Sequence, residues 1–297
     1  MRTRLRSMLL ALVLPLAIGG CAGSGAGTPT PAPTSSHSAP SPSLAEPSSS
    51  FSLLLWSSNG SISPASYLPG VMPYLAIEGR LVIDGLVAIP AIYPGPLYTA
   101  PVSRAISANG EAQMIALLRQ DGLLTNLDFT TPATPGAAVL HLRVTQNGAT
   151  YETSGYPSSE SCALAICTFD PGTPRAFADA VAQLSSLDSW LSGELGPTSQ
   201  YPPSELVVRL TAPLPAPAPM TPTTLAWPLT ISFADLEAAG LYDCVTLGAS
   251  DTLGLLPTLL SANILTRFSD SSGAVSSLQV RALFPGEDAP CPRLAAS

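Results

Sequence analysis

The chain has 297 residues, and 12 Lys plus Arg against 20 Asp plus Glu give a formal net charge of −8 at pH 7. This acidic balance argues against nucleic acid as a partner, and against binding to anionic membranes through a basic surface. At 46% hydrophobic residues, the chain can bury a sizeable core in one large domain or two small ones.

The first 20 residues carry the parts of a secretory signal peptide. Arginines at positions 2, 4 and 6 precede an uncharged stretch at 8–18, and two glycines stand before Cys21. The stretch is too short for a membrane span, which takes about 20 apolar residues. The sequence Ile-Gly-Gly-Cys at 18–21 resembles a bacterial lipobox, and this resemblance implies that Cys21 is acylated and becomes the mature N-terminus. The alternative is an ordinary signal peptide with an incidental cysteine.

A segment of low complexity follows Cys21. Of the 29 residues at 22–50, 26 are Gly, Ala, Ser, Thr or Pro, and such a composition buries too little apolar surface to offset the entropy of ordering. We therefore predict a signal peptide at 1–20 and, at 21–50, a lipidated cysteine with a disordered tether. The expected location is the extracytoplasmic side of the cell membrane, where acyl chains on Cys21 anchor the protein.

Residues 51–297 are predicted to fold as one composite domain. The sequence SLLLWSS at 52–58 indicates a buried strand, and 74–89 indicates two strands that meet at Gly79. A proline-rich turn, IYPGPLY, follows at 92–98. The next segment predicts a helix that Asn109 caps and that ends at Asp121 and Gly122.

The middle of the domain combines a hairpin with a long helix. Apolar and polar residues alternate at 138–144, with His141 and Arg143 on one side of the predicted strand. Asn147 and Gly148 then indicate a tight hairpin turn. An apolar stripe predicts a second helix at about 173–195, with Thr173 as its N-cap.

The last third begins with a strand at 205–211 and a proline-rich stretch at 213–222. That stretch is either a surface loop or a sub-division of the domain. Ser232 is predicted to cap a short helix that Gly240 stops, and Asp251 to cap another. A hairpin at the end completes an α+β fold of antiparallel sheets and hairpins with about four helices.

Four cysteines remain after Cys21, and an even number in an exported chain indicates disulfides. Of the three connectivities, we favour Cys162–Cys167 with Cys244–Cys291. A zinc site is the alternative, but the spacing is not that of zinc ligands and His141 is the only histidine in the folded part. We therefore predict no metal and no cofactor.

Two stretches resemble an uncharacterised actinobacterial lipoprotein family. One is MPYLAIEGRLVIDG with the following IYPGPLY corner, and the other is the ending that runs from WPL through YDC to VRALFPGEDAPC. The resemblance covers most of residues 71–291. Because its motifs are turns, strands, caps and cysteines, it implies a shared fold and location and no particular activity.

Motifs for catalysis are weak in this sequence. There is no Gly-x-Ser-x-Gly, and a Ser–His–acid triad would have to use His141. Carboxylate pairs for glycoside hydrolysis could come from Asp121 with Asp128 or from Glu152 with Glu160, although helix caps and solvated faces also explain these acids. Seven tyrosines in or near loops suggest either a recognition patch or packing against prolines.

We therefore predict a non-catalytic protein that binds or scaffolds a protein partner in the cell envelope. The alternatives are a cell-wall-acting hydrolase with a carboxylate pair and a carrier for a small ligand. The hydrolase requires a cleft with two carboxylates, and the carrier requires a deep apolar pocket.

Overall fold

A computed structural model of the chain describes residues 50–58, 71–85, 93–130, 139–156, 174–240 and 244–294. These residues belong to one compact unit, Pro47–Ser297. They form five helices and two mainly antiparallel sheets, which confirms the predicted α+β class.

The larger sheet contains eight strands in the described part of the chain. Their spatial order is β5-β7-β6-β1-β2-β3-β4-β8, and all neighbours are antiparallel except β5 and β7. The strands are β1 (Ser52–Ser58), β2 (Val71–Glu78), β3 (Leu81–Asp84), β4 (Val102–Ala105), β5 (Leu127–Phe129), β6 (Val139–Gln146), β7 (Ala149–Gly155) and β8 (Ser199–Gln200).

The smaller sheet contains five strands among the described residues, in the order β10-β12-β13-β9-β11. They are β9 (Leu206–Thr211), β10 (Thr224–Ala226), β11 (Cys244–Leu247), β12 (Arg267–Ser269) and β13 (Val275–Ala282). The proline-rich stretch at 213–222 connects β9 to β10, so it joins two strands of the same sheet.

The helices pack on one face of each sheet. They are α1 (Ala108–Gln120), α2 (Arg175–Leu184), α3 (Leu187–Trp190), α4 (Phe233–Ala239) and α5 (Ala249–Ser261). Met114 of α1 and Phe177 of α2 are buried against the larger sheet, next to Leu53 and Leu55 of β1. Residues of α4 and α5 form a second core with the smaller sheet.

The predicted strands and turns at the start of the domain are confirmed. β1 occupies 52–58, and β2 and β3 meet at Gly79, whose φ of 57° is readily adopted by glycine. β6 and β7 form the predicted hairpin, with positive φ at Asn147 (52°) and Gly148 (78°). These signals succeed because a turn depends on neighbouring residues alone.

The predicted cap of the first helix is wrong by two residues. Ser107, not Asn109, is the N-cap, and its hydroxyl oxygen accepts a hydrogen bond from the Gly110 N–H at 3.0 Å. The Asn109 side chain instead donates to Glu194 at 2.6 Å. The Glu194 carboxylate, which is distant in sequence, therefore binds the Asn109 side chain that was predicted to cap the helix.

The structure has two helices in place of the one predicted at 173–195, because the helical backbone is interrupted after Leu184. The hydroxyls of Ser185 and Ser186 donate to the carbonyls of Val181 and Ala182, at 2.6 and 2.9 Å. Serine side chains that bond the preceding turn compete with the helical backbone. The predicted cap, Thr173, is also wrong, since α2 begins at Arg175 with Pro174 at its N-cap position. Thr173 itself lies outside the described residues.

The later helices agree better with the sequence. Ser232 caps α4 in a capping box with Asp235, and the helix ends at Gly240 as predicted. The predicted cap of α5 is wrong, since the helix begins at Ala249 with Gly248 as its N-cap. Asp251 lies in the first turn, where an acidic side chain favours the positive end of the helix dipole.

A disulfide joins Cys244 to Cys291, with 5.6 Å between their Cα atoms. This bond matches the predicted pairing for these two cysteines. It fixes the C-terminal segment to β11, where Thr246 also donates its hydroxyl to the Cys291 carbonyl at 3.0 Å. Cys21, Cys162 and Cys167 lie outside the described residues.

Candidate functional site

The second face of the larger sheet, away from α1 and α2, changes from apolar to polar across its width. On β1, β2 and β3, the side chains of Leu54, Ala76 and Ile83 are buried against Tyr201 and Phe284. On β6, β7 and β5, the same face carries polar and charged residues. We call these residues the polar face: Asp128, His141, Arg143, Glu152 and Ser154.

Strand register places the residues of the polar face opposite one another. His141 of β6 pairs with Trp56 of β1 on one side and with Ser154 of β7 on the other. Arg143 pairs with Glu152, and Asp128 of β5 pairs with Ser154. Residues that are directly opposite in a sheet are close enough for their side chains to interact.

A stack of aromatic and cationic groups covers Trp56. The imidazole of His141 lies parallel to the indole, with 4.9 Å between ring centroids and 12° between ring planes. The guanidinium carbon of Arg143 lies 5.0 Å from the centroid of the same indole. Cation–π attraction and stacking together hold both β6 side chains against β1.

The imidazole of His141 has a hydroxyl on one side and a carboxylate on the other. Its Nε2 is hydrogen-bonded to the Ser58 hydroxyl at 2.9 Å, and its Nδ1 lies 3.6 Å from Glu152 Oε1. Burial lowers the pKa of His141 below its ordinary 6.5, although Glu152 acts in the opposite direction. The ring is therefore neutral at pH 7.

Arg143 connects the polar face to the C-terminal segment. Its Nε donates to Glu152 at 3.2 Å, and its Nη1 donates to the Gly286 carbonyl at 3.0 Å. The same guanidinium also binds the Asp288 carboxylate at 3.2 Å. The face is thus a connected network in which Arg143 holds Glu152 beside the histidine.

Asp128 closes the polar face on the β5 side. Its carboxylate accepts hydrogen bonds from the Thr130 amide at 2.8 Å and from the Ser154 hydroxyl at 3.2 Å. Hydrogen bonds from Thr130 are the main reason that the pKa of Asp128 is lowered, and His141 adds a small attraction. Asp128 is therefore an anion at pH 7.

A cleft of about 250 Å³ lies near the end of β13, lined by several carboxylates. Glu287 is paired with Arg281 at 2.5 Å, and Glu205 is held by Arg293 at 2.9 and 3.1 Å. Because each of these acids is already bound to a guanidinium, neither is a free partner for the acid pair that the hydrolase interpretation requires.

Asp121 and Asp128, which the sequence suggested as one acid pair, have separate environments. Asp121 ends α1, where burial and the nearby Asp179 raise its pKa. Asp128 lies on β5 and Glu152 lies on the neighbouring β7, and both belong to the polar face. Glu160 lies outside the described residues.

The tyrosines pack in the domain more than they cover its surface. Tyr74, Tyr98, Tyr156 and Tyr201 are buried, whereas Tyr93 is 53% exposed. Burial raises the pKa of the Tyr98 hydroxyl above its ordinary value. Tyr74, Tyr98 and Tyr201 belong to apolar clusters of the core, so the described tyrosines favour a packing role over a recognition patch.

Sequence reasoning missed Ser58, Trp56 and Arg143 as members of a site. The alternation in VLHLRV places His141 and Arg143 on the polar side of β6. By contrast, the sequence of β1 is that of a buried strand, and its pairing with β6, more than 80 residues apart, could not be predicted.

Within the described ranges, no three His, Cys, Asp or Glu side chains are placed to hold a metal ion together. None of the described helices is both long and apolar enough to cross a membrane. A comparison of this chain with protein-family models, with curated proteins and with solved structures gave no match.

Proposed function

We propose that this chain is an exported lipoprotein, anchored through Cys21, whose folded domain binds a protein of the cell envelope. The lipobox-like sequence at 18–21 supports the anchor, and the resemblance of residues 71–291 to actinobacterial lipoproteins supports the location. The acidic net charge favours an acyl anchor over electrostatic attachment to the bilayer.

The polar face is the observation that carries the binding proposal. Its side chains are only half-buried: His141 is 20% exposed, Arg143 25% and Glu152 41%. Ion pairing and stacking hold them in place, so a partner that binds them loses little side-chain entropy. Arginine is among the residues that contribute most of the binding energy at interfaces, and Arg143 lies at the centre of this face.

The rival functions have less support among the described residues. Arginines already bind Glu205 and Glu287 in the cleft near β13, which weakens the case for hydrolysis by a carboxylate pair. The same cleft is lined mainly by polar and charged groups. A carrier for an apolar ligand would instead be expected to have an apolar pocket.

Crosslinking in the cell tests the proposal. A photo-crosslinking amino acid replaces Thr150, which is exposed on β7 two residues from Glu152. The matched control carries it at Glu237, exposed on α4. We expect one envelope protein to be captured from position 150 and not from position 237, and to be lost when Cys21→Ala abolishes anchoring. Equal capture from both positions, or capture of abundant neighbours alone, would overturn the proposal.

A further inference from the structure

The contacts of His141 go beyond what a binding surface requires. We infer that Ser58, His141 and Glu152 form a nucleophile, a general base and an orienting acid that together attack carboxylic esters. The hydroxyl lies 2.9 Å from Nε2, and the carboxylate oxygen lies 3.6 Å from Nδ1 on the opposite side of the ring. A hydroxyl, an imidazole and an acid in this order are the parts of a serine nucleophile.

The sheet fixes the geometry of these three groups. Ser58 is the last residue of β1, His141 lies on the neighbouring β6, and Glu152 lies on β7 beyond it. Trp56 stacks on the imidazole and sets its plane, so the two ring nitrogens point along the row of strands. The 3.6 Å separation is longer than a hydrogen bond, but catalytic contacts in unliganded proteins are commonly loose.

The surroundings of the ring suit a base. Nδ1 is buried and makes no hydrogen bond in the described part of the chain, while Glu152 lies nearest to it. A proton on Nδ1 is favoured by that carboxylate and leaves the Nε2 lone pair for the Ser58 hydroxyl. Burial keeps the ring neutral at pH 7, with Glu152 and Asp128 opposing that effect and Arg143 adding to it.

The reaction is an ordinary ester hydrolysis. Ser58 Oγ forms a bond to the carbonyl carbon while its proton moves to His141 Nε2. The ester C–O bond then breaks, and the imidazolium returns the proton to the departing alcohol. Water next attacks the acyl group on Ser58, gives its proton to Nε2, and releases the carboxylic acid with the serine restored. Glu152 stabilises the imidazolium in both steps and stays ionised.

This inference goes beyond the proposed binding function and does not depend on a protein partner. Its test uses the full mature lipoprotein in detergent and a fluorophosphonate, a reagent that phosphonylates activated serines without needing the natural substrate. Mass spectrometry of peptides reports the modified residue, and the time course gives the rate of labelling.

We expect the wild type to be labelled at Ser58 and Ser58→Ala to remain unlabelled. His141→Gln removes the base and should slow labelling about 100-fold or more. The matched control is Ser276→Ala, since the Ser276 hydroxyl is bonded to the Thr211 carbonyl and not to a base. This variant should react at the wild-type rate.

Glu152→Gln separates a positioning role from a structural one. Glu152 raises the pKa of His141, so its removal should shift the pH dependence of Ser58 labelling to lower pH and slow the reaction. Circular dichroism checks that each variant folds. If His141→Gln does not fold, the wild-type profile decides, because labelling must increase with the neutral imidazole. The inference is overturned if Ser58 stays unmodified, or if its rate of labelling depends neither on the His141 side chain nor on pH.

Discussion

Glu287 and Arg281 form an ion pair in which the glutamate side chain is only 1% exposed and the arginine 17%. The carboxylate also accepts a hydrogen bond from the Phe284 amide at 3.1 Å. It therefore binds both Nη atoms of the guanidinium and the backbone where the chain leaves β13. Phe284 in turn covers the apolar part of the larger sheet, so this pair supports the contact between the two sheets.

Removal of this buried acid should be costly. Glu287→Ala leaves the Arg281 guanidinium without its main counter-charge, and breaking a buried pair in this way lowers the free energy of unfolding by about 3–5 kcal/mol. Urea unfolding followed by tryptophan fluorescence measures the loss. Glu205→Ala is the matched control, because its partner Arg293 has a side chain that is 58% exposed. A loss no greater than that of the control would contradict the prediction.

The Cys244–Cys291 disulfide should stabilise the domain mainly through the unfolded state. The cysteines are 47 positions apart, and closing a loop of this size removes about 4 kcal/mol of chain entropy from the unfolded ensemble. The double variant Cys244→Ala/Cys291→Ala should therefore lose about that much stability, measured by thermal or urea unfolding. An unchanged unfolding midpoint would show that noncovalent contacts, such as those of Thr246 and Arg293, are enough to hold the C-terminal segment.

Local signals in the sequence predicted much of the fold. The Asn147-Gly148 turn, the Gly79 turn and the Ser232 cap each depend on a few neighbouring residues, and each is confirmed. The alternation at 138–144 also predicted correctly that His141 and Arg143 face away from the core. These features need no knowledge of the rest of the chain.

Long-range pairing accounts for what the sequence did not predict. Asn109 is not a cap because Glu194, 85 positions away, binds its side chain. Ser58 meets His141 only because β1 lies between β2 and β6 in the sheet, and a single sequence does not specify that order. The candidate site therefore depends on strand order, whereas the hairpins that build it do not.

Two glycines in helices should respond oppositely to alanine. At Gly110 of α1, an added Cβ would lie 2.8 Å from both Glu194 Cβ and Ile106 Cγ1, so Gly110→Ala should cost about 1–3 kcal/mol through overpacking. At Gly254 of α5, the nearest atom is the end of the Leu229 side chain at 3.3 Å. Gly254→Ala should stabilise the helix by about 0.5–1 kcal/mol.

Differential scanning calorimetry of both variants checks the contrast. Alanine generally favours a helix over glycine, so a rise in Tm for both would mean that α1 moves away from Glu194 freely. A fall in Tm for both would mean that the Leu229 side chain does not move aside for the added Cβ at position 254. Opposite signs are expected, because a β-carbon clash at Gly110 involves atoms next to the backbone and the contact at Gly254 does not.

His141 should make the stability of the domain depend on pH, in a pH range in which Asp128 and Asp270 do not titrate. Its folded pKa is lowered from 6.5 by burial, so the unfolded chain binds more protons as the pH falls below that value. Stability is thus fully present above about pH 6.5 and decreases on acidification toward the folded pKa. Asp128 and Asp270, whose pKa values are lowered below 3.8, lose their contributions only at much lower pH.

Replacement of the imidazole isolates this effect. In His141→Gln, the Tm measured between pH 8 and pH 5 should fall less steeply than in the wild type, while the decline at lower pH remains. Glu152→Gln should have the opposite influence, since the carboxylate raises the pKa of His141 and its removal lowers that pKa further. The same steepness in all three proteins would mean that His141 titrates alike in the folded and unfolded states, and that its burial against Trp56 does not disfavour the charged ring.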